Sequence, residues 1–548
     1  MKRAIILFIA TLTLFSCGKR LLQDYTDCPE QPLLFPDYTD ITVPCNIAPL
    51  NFQLEGAANL SVIIQGKKEY QFDSQSYRLQ FPIKKWKKML ADEKGDTLSV
   101  SVYAHISQQK IHYKDFYWYI SPDSIDRYLS YRLIEPAYEI WNMLQVCERN
   151  LENFDTRLLA DNNITDHSCI NCHTSNRAAN PTTFMHMRGS KGGTIYSRDG
   201  QLRKINTKTD HTAGAVYGEI SQDGRFGIFT TAEIIPILHS YRTERLEVFD
   251  KCSDLILIDF EQGTVTDNPG ISGTEYQETF PCFSANNHTI YFCRAPYIPQ
   301  PDSTRHMRYD LYSISFNPQT GQLGDSIHEV FRASSEGKSV SFPKCSPDGK
   351  YLLFSVSDYG TFPIWHPETD LWMLELSTGK IDKMEETNGR YSDSYHSWSS
   401  NSQWIAFASK RDDRVYGRPY FAHVSQDGSV SKAFLLPQEN PEVYLNLTQE
   451  NVDAVNAYIN APMTATYFSN EKATGPNNEQ VTSEIIYYWM IALNIPPEYQ
   501  KWHLNRLLTL IKVCNIKNQP PKKHSRREIM RRNTALNAER RKRLGTKG

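Results

Sequence analysis

A repeat constrains this chain more than any other feature. Four times between residues 221 and 407 a serine-led polar turn precedes a short aliphatic-aromatic run: Ser221-Gln222-Asp223-Gly224 before Phe226-Gly227-Ile228-Phe229, Ser284 with Asn287 before Ile290-Tyr291-Phe292, Ser346-Pro347-Asp348-Gly349 before Tyr351-Leu352-Leu353-Phe354, and Ser399 with Ser402 before Trp404-Ile405-Ala406-Phe407. The serines lie 63, 62 and 53 residues apart. Each unit is long enough for one four-stranded sheet, whose apolar faces are buried only when neighbouring units stack on them. A second signature recurs inside the units: Asp254-Leu255, Asp310-Leu311 and Asp370-Leu371 open apolar runs that reach Gly263, Gly321 and Gly379, as a strand followed by a tight turn would. Thr194-Ile195-Tyr196 and residues 201–205 read as half a unit at the start. The repeats predict a propeller of five or six blades over residues 191–440, and a chain that is mainly β.

The flanking regions differ. Residues 45–122 alternate apolar and polar positions, as in Leu60-Ser61-Val62-Ile63-Ile64 and Leu98-Ser99-Val100-Ser101-Val102, a period-two pattern that predicts a β-sandwich of immunoglobulin-like type. Over residues 123–190 the apolar spacing turns to three and four, through Ile125, Leu129, Leu133, Ile140, Trp141, Leu144 and Leu151, and predicts a short helical segment with Tyr131, Trp141 and Met143 as a pocket wall. Residues 441–514 carry three helical patterns, at 451–459, 484–493 and 500–513. The tail, 515–548, is basic, with 12 Lys/Arg against Glu528 and Glu539 from residue 517 onward; it reads as a solvated end or, through Ile529, Leu536 and Leu544, as a weakly amphipathic strip for anionic lipid. With this run set against a net charge of −2, no nucleic-acid partner is expected for the chain as a whole.

Cys169-Ile170-Asn171-Cys172-His173 is the chemical centre of the sequence. Two thiols three apart add across the two vinyl groups of one porphyrin, and the adjoining imidazole ligates its iron, so C-x-x-C-H is the attachment pattern of c-type haem. With 11 Cys and 15 His in 548 residues, chance supplies about 0.006 copies. The competing readings are a zinc site from His167, Cys169, Cys172 and His173, and an unmetallated disulfide. His173 is the proximal ligand in the haem reading. Thr183-Phe184-Met185-His186-Met187-Arg188-Gly189 offers the sixth ligand 12 to 14 residues on, with His186 preferred and Met187 and Met185 as alternatives; Arg188 and Arg177 suit the propionates. His173 and His186 are thus the expected metal ligands.

At the N-terminus, Lys2 and Arg3 precede an apolar run over residues 4–15, too short to span a bilayer and right for a signal-peptide core. Leu14-Phe15-Ser16-Cys17 then resembles a lipobox, which implies lipidation of Cys17, removal of residues 1–16 and a tether over 17–44. Eight further cysteines remain, among which Cys282 and Cys293 flank a turn and are a candidate disulfide, with free buried thiols the equal alternative.

Two family resemblances follow from these residues. The Ser346 to Phe354 stretch is similar to the S-P-D-G turn and strand of TolB-like, WD-type propellers. Lipobox, sandwich, Tyr131-Arg132-Leu133-Ile134-Glu135-Pro136, the C-x-x-C-H motif, His186-Met187-Arg188-Gly189 and a propeller together resemble Gram-negative envelope lipoproteins that join c-type haem to a TolB-like propeller. The resemblance implies one covalent haem c, a location in the cell envelope, anchored in the outer membrane and facing the periplasm, and an envelope or redox partner at the propeller. The expected function is a monohaem cytochrome that transfers electrons or senses redox state. Alternatives are a TolB-like scaffold with structural haem and a propeller-haem oxidoreductase. No catalytic residues are assigned: no Ser/His/Asp set or phosphate loop stands out, and a non-enzymatic role is the expectation.

Overall fold

The computed structural model describes residues 24–134, 143–176, 181–209, 213–238, 246–298, 304–444, 483–501 and 504–518, Pro269 aside, with scattered positions between 530 and 541. Cys17, Arg177, Trp141, the helical pattern at 451–459 and most of the basic tail lie outside the described residues. Two compact units divide the chain after Asn446.

The first unit carries five consecutive four-stranded antiparallel meanders, preceded directly by a three-stranded antiparallel sheet and, nearer the N-terminus, by a seven-stranded and a second three-stranded sheet. The repeat serines explain why these sequences turn where they do. Ser221, Ser346 and Ser399 accept from the backbone N–H five residues on, at Phe226, Tyr351 and Trp404, over 2.9, 2.9 and 3.0 Å, and Ser284 does the same for Thr289 at 3.0 Å. Each serine donates in turn to the side chain two residues later, Asp223, Asn286, Asp348 or Asn401. The residue after that is left-handed in all four, at Gly224, Asn287, Gly349 and Ser402, so the position favours Gly or Asn. One motif thus closes the same hairpin four times, and the degenerate copies keep its geometry.

The first four-stranded sheet comprises Ile170–Ser175, Thr183–Met187, Gly193–Arg198 and Gln201–Ile205. Residues read as half a unit are its outer two strands, and the C-x-x-C-H segment is its first. The expected helical segment over 123–190 is therefore corrected: it contains the strands Tyr128–Ile134, Leu144–Asn150 and Thr156–Asp161, which form the three-stranded sheet, and then the start of the next one. Three- and four-residue spacing arose where strand alternation is interrupted by turns. Antiparallel pairing from Tyr128↔Asn150 to Ile134↔Leu144 decides the backbone, and propensity yields to it. Of the expected pocket wall, Tyr131 lies on this sheet and Met143, 43% exposed, lies at its rim.

Residues expected as tether and sandwich form a mixed β region. A seven-stranded sheet includes Thr26–Asp27 and Ile41–Pro44, each paired in parallel, and a three-stranded sheet begins at Leu34–Phe35, so structure starts well before residue 45. A helix, Ile83–Asp92, interrupts the strands and buries Trp86, Met89 and Leu90. Its own indole and one from a neighbouring strand fix it: Trp86 Nε1 donates to Ile47 O at 2.9 Å, Trp118 Nε1 donates to Tyr38 O at 2.7 Å, and the rings meet edge-on at 5.7 Å. Trp404, Phe421 and Phe434 of the last meander share this apolar core. The β region and the last meander consequently hold each other in place.

Cys282 and Cys293 are free and buried, because the register sets Cys282 opposite Tyr291 and Cys293 opposite Thr279. In the second unit, helices Ser483–Ala492 and Leu504–Asn518 match two of the expected patterns and pack through Met490, Leu507 and Ile511.

Candidate functional site

The first strand of every four-stranded meander is bulged at one equivalent place. Between Asn171 and Thr174 the pairing to the next strand slips by a residue; the same slip falls at Ala215/Gly218, Thr279/Cys282, Ser341/Lys344 and Ser394/Ser397. Two side chains then stand opposite one partner residue, which re-aims them out of the sheet. The doubled residues are Cys172-His173, Val216-Tyr217, Phe280-Pro281, Phe342-Pro343 and Tyr395-His396. Cys172, Phe280, Phe342 and Tyr395 all take a left-handed backbone, with φ of 56°, 51°, 53° and 49°. Sequence reasoning did not find this equivalence, because the bulge has no residue signature beyond a large or sulfur-bearing side chain.

These residues converge. Tyr217 lies 5.2 Å from Phe280 and 5.6 Å from Phe342, Phe280 stacks on Phe342 at 3.9 Å, and Phe342 meets Tyr395 at 4.9 Å. Cys172 acts electrostatically on both Tyr217 and Tyr395, and so does Arg132 of the three-stranded sheet. First strands of the five meanders, joined through Arg132 by that of the three-stranded sheet before them, therefore meet at one axis. Cys172, His173, Tyr217, Phe342 and Tyr395 keep part of their surface open there, although protein surrounds them. Arg132 is a site residue that the sequence reading did not single out; its place in the phrase before the motif was the available signal.

Burial dominates the chemistry at the axis. It pushes the Cys172 thiol up to about 12, with Cys169 adding to the effect, and raises Cys169 as well, while Arg132 and Arg188 oppose both shifts. His173 is held down at about 4 by burial and then by Arg132, so its imidazole is neutral, the form that ligates a metal. A hydrogen bond to the backbone of Ser130 ties it to the preceding sheet.

The structure sorts the expected ligands onto two faces. Cys169, Met185 and Met187 pack with Leu144 and Val146 of the three-stranded sheet, and Cys172 and His173 double opposite Met185 on that side. His186 points the other way. Its Nδ1 lies 3.4 Å from Thr194 Oγ1, and a Cβ on Gly214 would come 3.0 Å from its Cε1; Phe184, on the same face, stacks on Phe229 of the next meander at 4.1 Å. Burial lowers His186 to about 4. The thioethers are thus brought to the side of His173, and the preferred imidazole is not. Arg188 is exposed at the end of the same strand.

As a donor set, two thiols, a neutral imidazole, two thioethers on one face and an adjoining ledge of aromatic rings fit a c-type haem. For zinc the set is incomplete: among the described residues no group of three or more His, Cys, Asp or Glu could hold a metal ion, and His167 is exposed.

No family model and no curated protein matches the chain. Solved structures similar to it include an oligogalacturonate lyase in complex with manganese, at 12% identity and a TM-score of 0.34 over 59% of this chain and 85% of that one. A puromycin-hydrolyzing peptidase of Mycobacterium tuberculosis aligns at 9% identity and TM-score 0.32, over 73% and 57% of the two chains. A putative dipeptidyl aminopeptidase IV from Bacteroides ovatus gives 10% and 0.23, over 57% and 61%. Likeness this low carries no activity across.

Proposed function

We propose that this chain is an envelope lipoprotein in which Cys169, Cys172 and His173 attach one haem c at the axis of a six-bladed, TolB-like propeller, and that it carries electrons or senses redox state. One observation carries the reading: the C-x-x-C-H segment belongs to the ring itself, and its bulge turns Cys172 and His173 onto the axis beside Arg132. A bound haem would supply the one-electron redox chemistry, with potential set by the sixth ligand and by burial. The chain's own residues would hold it through two thioether links, keep His173 neutral and set Met187 or Met185 ahead of His186 as the second ligand. The β region over 26–121, immunoglobulin-like in its sequence pattern, would act as a spacer between lipid and ring. Lipidation at Cys17 is the proposed anchor, and no helix among the described residues is long and apolar enough to cross a membrane.

The test is a haem stain on a denaturing gel together with reduced and oxidised visible spectra of exported full-length protein. A stain that survives denaturation and is absent in Cys169→Ala/Cys172→Ala supports the proposal, and an exported, folded protein without haem absorbance removes it. A second reading, a TolB-like binding scaffold with structural haem, is favoured by the Ser130 bond of His173, which parallels a purely structural bond made by His396.

A further inference from the structure

Arg132 stands on the first strand of the three-stranded sheet and is partly exposed at the axis. Among the described residues its guanidinium has neither a hydrogen bond nor a carboxylate partner, unlike Arg411, which binds Asp393 at 2.9 Å, and Arg294, which binds Glu278 at 2.9 Å. Its charge is felt at Cys169, Cys172, His173, Tyr217 and Tyr395. Among the described residues no carboxylate contributes to the field at any of those five groups. A partly buried guanidinium with no counter-charge among the described residues is poorly compensated, and its planar fork matches a carboxylate. Around it stand the hydroxyls of Tyr217 and Tyr395, also without hydrogen bonds among the described residues, and the stacked rings of Phe280 and Phe342.

We infer that the axial mouth beside Arg132 is a carboxylate-binding site for a flat, apolar-bodied anion, with the carboxylate on the guanidinium and the body against the partly exposed Tyr217 and Phe342 rings. Two sources present that chemistry: a propionate of the porphyrin proposed above, and a free aromatic carboxylate. The site does not require the haem. Arg188, exposed just beyond Met187, adds positive charge felt at Cys172 and Tyr217, and Lys344, the cation on the Phe342 strand, is matched by Glu219 at 4.0 Å. Among the described residues the net field at the mouth is therefore positive, and an anion entering it meets a guanidinium that has no ion-pair partner there.

The experiment uses the exported full-length chain with benzoate as the probe, titrated calorimetrically into wild type, Cys169→Ala/Cys172→Ala, and that thiol-free protein carrying Arg132→Gln. Saturable binding to the thiol-free protein, weakened by Arg132→Gln at least about tenfold, is expected from the loss of a charged hydrogen-bonded pair. Binding to the thiol-free protein that is blocked in haem-bearing wild type identifies a propionate as the resident anion. Should benzoate bind neither form, a shift of the haem potential in Arg132→Gln still assigns the site to the propionate. No binding together with an unmoved potential overturns the inference, and if the haem stain is negative, absence of benzoate binding alone overturns it. Arg132→Lys, which keeps the charge and loses the fork, serves if Arg132→Gln fails to fold, and should bind benzoate more weakly than Arg132.

Discussion

Two strands of the ring, Ile170–Ser175 and Asp393–Trp398, share a backbone device and differ in what it presents. Both are first strands of their sheets, both are bulged after the second or third residue, and both place a left-handed residue before a histidine: Cys172-His173 in one, Tyr395-His396 in the other. His396 is only 4% exposed, its Nε2 donates to Leu353 O at 3.0 Å, and burial drives it down to about 3. His173 is tied to a backbone as well, yet stays partly exposed beside two thiols and an arginine that has no ion-pair partner among the described residues. A bulge that elsewhere serves interblade packing here carries the Cys172 and His173 of the C-x-x-C-H motif. The fold supplies the direction, and the residue type decides whether that direction is used for packing or for a cofactor.

The largest effect that would break this comparison is on the cofactor. Cys169→Ala/Cys172→Ala should abolish covalent haem on a stained denaturing gel, whereas Tyr395→Phe should leave the stain intact. Equal staining of both variants would mean that the Cys172 bulge has no special chemistry.

Stability should run the opposite way. His396→Ala removes a buried ring and strands the Leu353 carbonyl, so urea denaturation should show a loss of about 2–4 kcal/mol. His173→Ala, made in the thiol-free protein, leaves a position already open to the axis and should cost less than about 1.5 kcal/mol. Comparable losses would show that His173 is primarily a packing residue.

Proton binding separates these histidines from a third. The second meander's long hairpin, Phe226–Leu238 with Leu246–Asp259, carries Glu247 to His366, Nε2 to Oε2 at 2.9 Å, and Glu368 lies 3.2 Å from Nδ1. Burial would lower His366, but the Glu247 and Glu368 bonds outweigh it and raise it to about 9. A raised histidine stabilises fully below the unfolded value of about 6.5 and loses that contribution as pH rises through about 9. His173 and His396, lowered, cost stability as pH falls below about 6.5. Unfolding free energy should therefore decline by up to about 3 kcal/mol between pH 6.5 and 9.5, and Glu247→Gln should flatten that limb while the acid limb persists. A decline unchanged in Glu247→Gln would assign it to another group.

The smallest effect concerns the second haem ligand. Met185 and Met187 share the face of Cys169, and His186 faces the next meander. His186→Ala should leave a low-spin spectrum within a few nanometres of wild type, while Met187→Leu, or the Met185→Leu/Met187→Leu pair, should lose it. Loss in His186→Ala alone would require the first sheet to open when haem binds.

What could be read in the sequence follows from which interactions are local. The serine-led turns were legible because each closes through bonds between residues two to five apart, so composition and spacing carry the geometry even in degraded copies such as Ser284 and Ser399. The C-x-x-C-H motif stands out in the sequence because covalent haem attachment, the role proposed for it, would fix residue types and spacing within five residues. Helices at Ser483–Ala492 and Leu504–Asn518 were read from their period. Tertiary structure alone decided the rest. Spacing over residues 124–159 favoured a helix until pairing across Tyr128–Ile134 and Leu144–Asn150 made it sheet, and Ile83–Asp92 became a helix because Trp86, Met89 and Leu90 fill the core beneath the strands. Arg132 joined the site, and His186 left its face, only when six first strands met at one axis. No residue-level pattern encodes that closure, because the contacts that define it come from sheets as distant in sequence as Arg132 and Tyr395.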